Sequence, residues 1–248
     1  MLSIYVARSG SAPIRMVNAD VAHDAASTMK AAVLAALYRS KLDLDAPVPV
    51  FECFPSAVPG STFRNSIAMD SDPQPWRRLG GRATLRWLAN RMITQSSNLA
   101  TNLCLSHVGL AAVNQIWRLA GATNSFTNRL IEDYAAKNIG IVNVVTAADL
   151  ARLFLYLGPG ELDVLAGNQH RVDLAAGLPE GTQIAFKNGW FPGLRHSAGV
   201  VYPADSAPYV IAVCYSGPLA TGHAVNDPAA QLIARISSGI WAQRHALA

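Results

Sequence analysis

Apolar and polar positions along this chain fall into blocks with different periods. Leu2 to Ala7 and Ile14 to Asn18 read as short strands, joined by Ser9-Gly10-Ser11-Ala12-Pro13, so the spacing predicts an opening hairpin. After Asp24, a suitable N-cap, the run Ala25 to Arg39 is rich in Ala, Leu and Met and free of Gly and Pro, which predicts a buried helix. The six prolines between Pro47 and Pro75 predict an irregular stretch. Helical signals resume over Thr84 to Ser96, Asn98 to His107, Ala111 to Ala120 and Ala147 to Leu157, the last introduced by Thr146 with Asp149 three residues on. Strand signals return at Thr182 to Phe186, Gly199 to Tyr202 and Tyr209 to Tyr215. Asp227-Pro228 then opens a last helix reaching about His245.

Strands at both ends of a helical middle imply an α/β (α+β) fold with one antiparallel sheet built from both termini and the last helix packed on it. We expect a single domain of two lobes: residues 1–50 and 180–248 form the sheet lobe, and 51–179 form a mainly helical lobe. The helix near Ser27 lies at their interface, and the lobes meet in a cleft.

Composition narrows the function. With 248 residues, 51% apolar and 15% charged, the chain can bury a full core and is not disordered. The longest apolar stretches, such as Ala31 to Tyr38, fall short of the roughly 18 residues a spanning helix needs, so no membrane association is expected. No basic-then-apolar leader is visible, which places the protein in the cytoplasm if Met1 is the native start and in the periplasm or outside the cell if a leader was trimmed. The net charge of +4 comes from Arg residues interleaved with acids and apolars, so nucleic acid is not an expected partner. Three cysteines without a C-x-x-C pair predict free, mostly buried thiols. The six histidines include no i, i+4 pair, and no phosphate-binding glycine loop occurs, so neither a metal nor a nucleotide cofactor is expected.

Three short motifs could carry chemistry. In Ser27-Thr28-Met29-Lys30 the Ser and Lys share one helix face, where a desolvated Lys can take the hydroxyl proton and the helix N-terminus favours an oxyanion. Ser96-Ser97-Asn98 falls at a break between two helices, and Lys187-Asn188-Gly189 follows a strand. Singly, each has an ordinary structural reading as a helix start, a capped turn and a strand end. In this order, S-x-x-K, S-x-N and K-x-G resemble the serine penicillin-recognising enzymes, the β-lactamases and penicillin-binding D,D-peptidases. Met92 to Leu103, MITQSSNLATNL, is similar to the class A stretch M-I-x-x-S-D-N-x-A-x-N-L. The resemblance covers nearly the whole chain, although the long helix that usually precedes the first strand has no counterpart.

The resemblance implies Ser27 as the acylated nucleophile, Lys30 as its proton acceptor and Ser96 as the relay to the leaving group. It implies that Lys187 holds the substrate carboxylate, that Asn98 bonds the acyl amide, and that the Ser27 and Trp190 N–H groups form the oxyanion hole. Asn188, Gly189 and Arg195 join them as substrate-binding candidates, Arg195 being a second carboxylate anchor or a surface residue. Three departures stand out: Ser97 replaces the usual Asp, Asn188 the usual Thr or Ser, and Ala136 the Asn four residues after Glu132. Glu132 falls where the deacylating carboxylate belongs, with a solvated loop acid as the plain alternative and Asp133 as the substitute. Asn102 matches the residue that contacts this loop in the family. His23 and His170 read as structural, and a rival Ser-His-Asp triad around Ser216 lacks the G-x-S-x-G elbow.

The expected function is a serine acyl hydrolase of class A β-lactamase type acting on a small-molecule acyl substrate, whether β-lactam, ester or peptide amide. The alternatives are a D,D-peptidase, esterase or transacylase on the same scaffold, and a binding module that acylates once without turnover.

Overall fold

The computed structural model describes residues 1–247. Strands β1 (Leu2–Ala7) and β2 (Arg15–Val17) form the expected hairpin. The two-residue β3 (His23–Asp24) leads through a 3₁₀ turn, Ala26–Met29, into α1 (Lys30–Tyr38). Asp24 is therefore not a helix cap as expected. Its Oδ1 accepts from the Ala26 N–H at 3.2 Å, closing a local turn two residues ahead of the 3₁₀ segment's own backbone. Every residue of α1 from Lys30 to Leu37 is buried, which is why its sequence is apolar all round and carries no amphipathic stripe.

The proline-rich stretch is more regular than its composition suggests. β4 (Pro47–Pro49) pairs with β7 (Arg82–Thr84), and β5 (Cys53–Pro55) with β6 (Thr62–Arg64), as two-stranded ribbons in which Pro takes end positions. Helices α2 (Leu85–Thr94), α3 (Asn98–Val108) and α4 (Leu110–Leu119) follow, with Thr84 and Ser97 capping the first two. The short α5 (Tyr134–Asn138) and β8 (Val144–Val145) precede α6 (Ala147–Tyr156), whose Thr146 accepts from the Asp149 N–H at 3.0 Å. Helix α7 (Pro159–Ala166) was not anticipated. Its Gly158-Pro159 start reads as a breaker, yet Pro fits the first helical turn and Glu161 accepts from the Gly158 N–H at 3.1 Å.

The C-terminal part supplies β9 (Gln183–Phe191), β10 (Leu194–Tyr202), β11 (Tyr209–Ser216) and α8 (Pro228–Ala242). One antiparallel sheet runs β2-β1-β11-β10-β9, uniting both ends of the chain. Period-two alternation splits its side chains. Ile4, Val6, Phe186, Ile211 and Val213 pack with Ile233 and Ile240 of α8. Tyr5, Ala185, Ala198, Val210 and Ala212 join the core of α1 and α6 on the other face. Helix α6, placed by sequence in the helical lobe, thus lies on the sheet. Cys104 and Cys214 are buried free thiols, and Cys53 is an exposed one. Among the described residues, no helix is long and apolar enough to cross a membrane.

Candidate active site

The sequence reading ends a strand at Phe186, but β9 continues through Lys187, Asn188, Gly189 and Trp190 to Phe191. Ladder pairing with β10, from Lys187 opposite Ala198 to Trp190 opposite Arg195, overrides the weak strand propensity of Lys, Asn and Gly. This extension brings β9 against the start of the Ser27 segment. A Cβ on Gly189 would lie 2.6 Å from the Ser27 nitrogen, so only glycine permits the approach that sets the Ser27 N–H beside the Gly189–Trp190 peptide.

Ser27, Ser96, Asn98, Glu132 and Trp190 line one cleft of about 480 Å³ between the sheet and the helices. Beneath it two buried lysines converge on one hydroxyl. The Lys187 Nζ lies 3.0 Å from Ser96 Oγ, and the Lys30 Nζ lies 3.3 Å from the same oxygen. Lys30 also donates to the Ser96 carbonyl at 2.6 Å and to Asn98 Oδ1 at 3.0 Å, while Lys187 donates to the Asn188 carbonyl at 2.9 Å. Both ammonium groups are fully buried. Burial lowers the Lys30 pKa to about 7, against the pull of the Asp70 and Glu132 charges. Burial and the neighbouring Lys30 charge push Lys187 well below its ordinary value, with Asp173 opposing. The shared Ser96 hydroxyl joins the two lysines in one hydrogen-bonded chain, an arrangement ordinary exposed lysines do not have.

Glu132 is not a solvated loop acid. It is buried, with Oε1 accepting from Asn98 Nδ2 at 2.9 Å and Oε2 from the Ser66 N–H at 2.8 Å. Asn98 therefore links the Lys30 ammonium to the Glu132 carboxylate. Asn102 holds the preceding residue on both sides, donating to the Ile131 carbonyl at 2.8 Å and accepting from its N–H at 2.9 Å. Asp133, the alternative acid, is committed elsewhere: its carboxylate accepts from Ser56 Oγ and the Ala57 N–H, both at 2.8 Å, and from the Ala136 N–H at 3.2 Å. Ala26, Ser96 and Glu132 all hold left-handed backbone at φ of +43°, +59° and +69°. For residues with a Cβ this costs about 1 kcal/mol or more each, and three such positions around one cleft mark it as a site the fold is built to strain.

The Ser97 departure has a structural counterpart the sequence reading missed. Ser97 caps α3 with its own hydroxyl, and Asp70, from the proline-rich segment, supplies the missing carboxylate across space. Asp70 accepts from the Asn98 N–H at 3.1 Å, the Leu99 N–H at 2.9 Å, Ser97 Oγ at 3.1 Å and Trp76 Nε1 at 2.9 Å. Its contacts to Asp72 and Trp76 are local, but those to Ser97, Asn98 and Leu99 lie 27 to 29 residues away, where no sequence pattern reaches.

Two substrate-binding candidates are placed differently from expectation. Asn188 shares the α8 face of β9 with Ile184 and Phe186, opposite to Lys187. Its amide donates to the His170 carbonyl and to Asp173 Oδ2, both at 3.1 Å, and accepts from Asn168 at 3.3 Å, so it fastens the 168–173 segment. Arg195 is no surface residue. It is fully buried, with Nε on Asp173 Oδ1 at 2.6 Å and Nη1 on the Gly222 carbonyl at 2.7 Å, and Nη2 has no partner among the described residues. Burial raises the Asp173 pKa despite that Arg195 contact.

The histidines hold structure. His170 bonds the Gln95 carbonyl at 3.1 Å and packs edge-on against Trp190. His23 lies between Ser216 Oγ at 2.7 Å and Ser3 Oγ at 2.9 Å, so the rival triad has a serine where it needs an acid.

A Ser-x-x-Lys helix beneath an antiparallel sheet edge, with a second Ser and a second Lys closing the cleft, defines a β-lactamase/transpeptidase-type hydrolase fold. The chain belongs to the beta-lactamase enzyme family, whose profile it matches over residues 2–243, and is thereby a β-lactamase-like serine hydrolase. Among solved structures, that of PBP-A is 23% identical with a TM-score of 0.78, the match covering 100% of this chain and 91% of that one. A penicillin G acyl-enzyme complex of a PBP-A mutant is 25% identical over the same shares, also with a TM-score of 0.78. A β-lactamase from Xanthomonas campestris is 19% identical with a TM-score of 0.80, covering 100% of this chain and 92% of that chain. No curated protein matches significantly.

Proposed function

We propose that the protein is a serine acyl hydrolase of class A type that forms an acyl-enzyme on Ser27 and hydrolyses it. The observation that carries this reading is the meeting of two fully buried lysines at Ser96 Oγ, beside the cleft that Ser27 lines. Neutral Lys30 takes the Ser27 hydroxyl proton as Oγ attacks the substrate carbonyl, and the Ser27 and Trp190 N–H groups receive the oxyanion. The proton passes through Ser96 to the leaving nitrogen, or to the leaving oxygen of an ester. Lys187 keeps this region positive for a substrate carboxylate. Glu132 then takes a proton from water, whose oxygen attacks the acyl carbon; the Ser27–acyl bond breaks and Ser27 regains a proton.

A D,D-peptidase, esterase or transacylase reading is favoured by one feature: Ala136 stands where an Asn would help to hold the deacylating water. Intact-mass measurement after mixing with benzylpenicillin and simple esters tests acylation directly. An adduct on the native protein and none on Ser27→Ala is the expected result. Labelling of Ser27→Ala, or of Ser216 in the native protein, would overturn the assignment.

A further inference from the structure

We propose that Arg129 and Lys137 form an anion subsite on the acyl side of the cleft, selecting acyl groups that carry a carboxylate. The inference rests on the acyl-enzyme reading and adds the substrate class.

The position follows from β9. Gly189 abuts Ser27, so Lys187 and Phe191 lie two residues to either side, each about 7 Å along the strand. Lys187 and Ser96 mark the leaving-group side. The opposite side is bounded by Phe191, with the Lys137 Nζ 5.0 Å from its ring centroid, and by Asp24 and Arg129.

The chemistry follows from which charges are already matched. The side-on edge of an Arg, Nε with Nη2, is the edge by which Arg86 grips Asp45 and Arg91 grips Asp72 in this same protein. In Arg129 that edge is vacant. The residue is 7% exposed, its Nε is buried without a partner, and its hydrogen bond, from Nη1, goes to the Leu130 carbonyl at 3.2 Å. The nearby carboxylates are engaged by other donors. Asp24 is held by Lys137 at 2.9 Å and by the Ala26 N–H, Glu132 by Asn98 and Ser66, and Asp133 by Ser56, Ala57 and Ala136. Among the described residues Arg129 therefore has no ion-pair partner, while Lys137 on the same wall is paired with Asp24. Leaving a buried guanidinium edge unsatisfied costs free energy that a planar carboxylate on the acyl group would recover.

The test uses benzylpenicillin and its α-carboxy derivative, which differ by one carboxylate on the acyl side chain. Acylation rate constants come from intact-mass time courses. The native protein is expected to favour the carboxylated penicillin by on the order of 10-fold at low salt, the worth of one charge-assisted hydrogen bond, with the preference shrinking at high ionic strength. In Arg129→Gln the ratio should collapse toward one. If that variant does not fold, Arg129→Lys, which keeps charge and loses the fork, should lose most of the preference. Equal rates in the native protein, or a preference that survives substitution of Arg129, would overturn the subsite alone. No adduct with either penicillin would overturn the acyl-enzyme reading and the subsite with it.

Discussion

Glu132→Gln separates the two chemical steps. In the folded protein each Glu132 oxygen accepts one hydrogen bond, Oε1 from Asn98 and Oε2 from Ser66. A glutamine can keep one acceptor but turns an NH₂ group toward the other donor, a mismatch costing about 1–3 kcal/mol of stability. Lys30 simultaneously loses a charge that holds its pKa up, so it falls further below about 7 and the base for acylation stays neutral at pH 7. Acylation should therefore survive. Deacylation loses its proton acceptor, an effect of about 10²- to 10⁴-fold, or roughly 3–5 kcal/mol in the barrier. After one equivalent of benzylpenicillin, intact-mass spectra of the native protein should show an adduct that forms and decays, and those of the variant an adduct that persists. Equal adduct lifetimes in the two proteins would refute Glu132 as the base for water and move the assignment to the esterase or transacylase reading that Ala136 favours.

Two further outcomes follow from the same geometry. With the Lys30 pKa near 7, the neutral form gains as pH rises, so acylation should climb about tenfold per pH unit below that value and level off above it, with a midpoint of about 7. The folded pKa lies below the unfolded one, so the unfolded chain binds more protons between the two, and the stability contributed by this group also rises with pH across that window. An acylation rate flat between pH 5 and 9 would remove Lys30 as the base. Gly189→Ala would place a methyl 2.6 Å from the Ser27 nitrogen, forcing β9 away from the oxyanion position. Acylation by benzylpenicillin should fall by about 10²-fold or more while circular dichroism stays native, and an unchanged rate would show that this approach does not matter.

The elements legible in the sequence are those whose signal is local. The opening hairpin, the capped starts of α2, α3 and α6, and the Asp227-Pro228 start of α8 need only turn chemistry and nearest-neighbour caps, and they lie where the spacing puts them. The S-x-x-K, S-x-N and K-x-G spacings likewise named the residues that the cleft brings together. What the sequence could not carry is pairing across distance. Lys187-Asn188-Gly189 reads as a turn until β10 supplies a ladder, and that ladder's alternation turns Asn188 away from Lys187. Asp70 and Arg195 look like ordinary polar residues until the fold sets them against α3 and Asp173. Sequence alone determined which side chains can do chemistry and roughly where helices start. Tertiary structure decided their burial and their partners, because the groups that desolvate Lys30 and Lys187 and hydrogen-bond Glu132 come from residues remote in the chain.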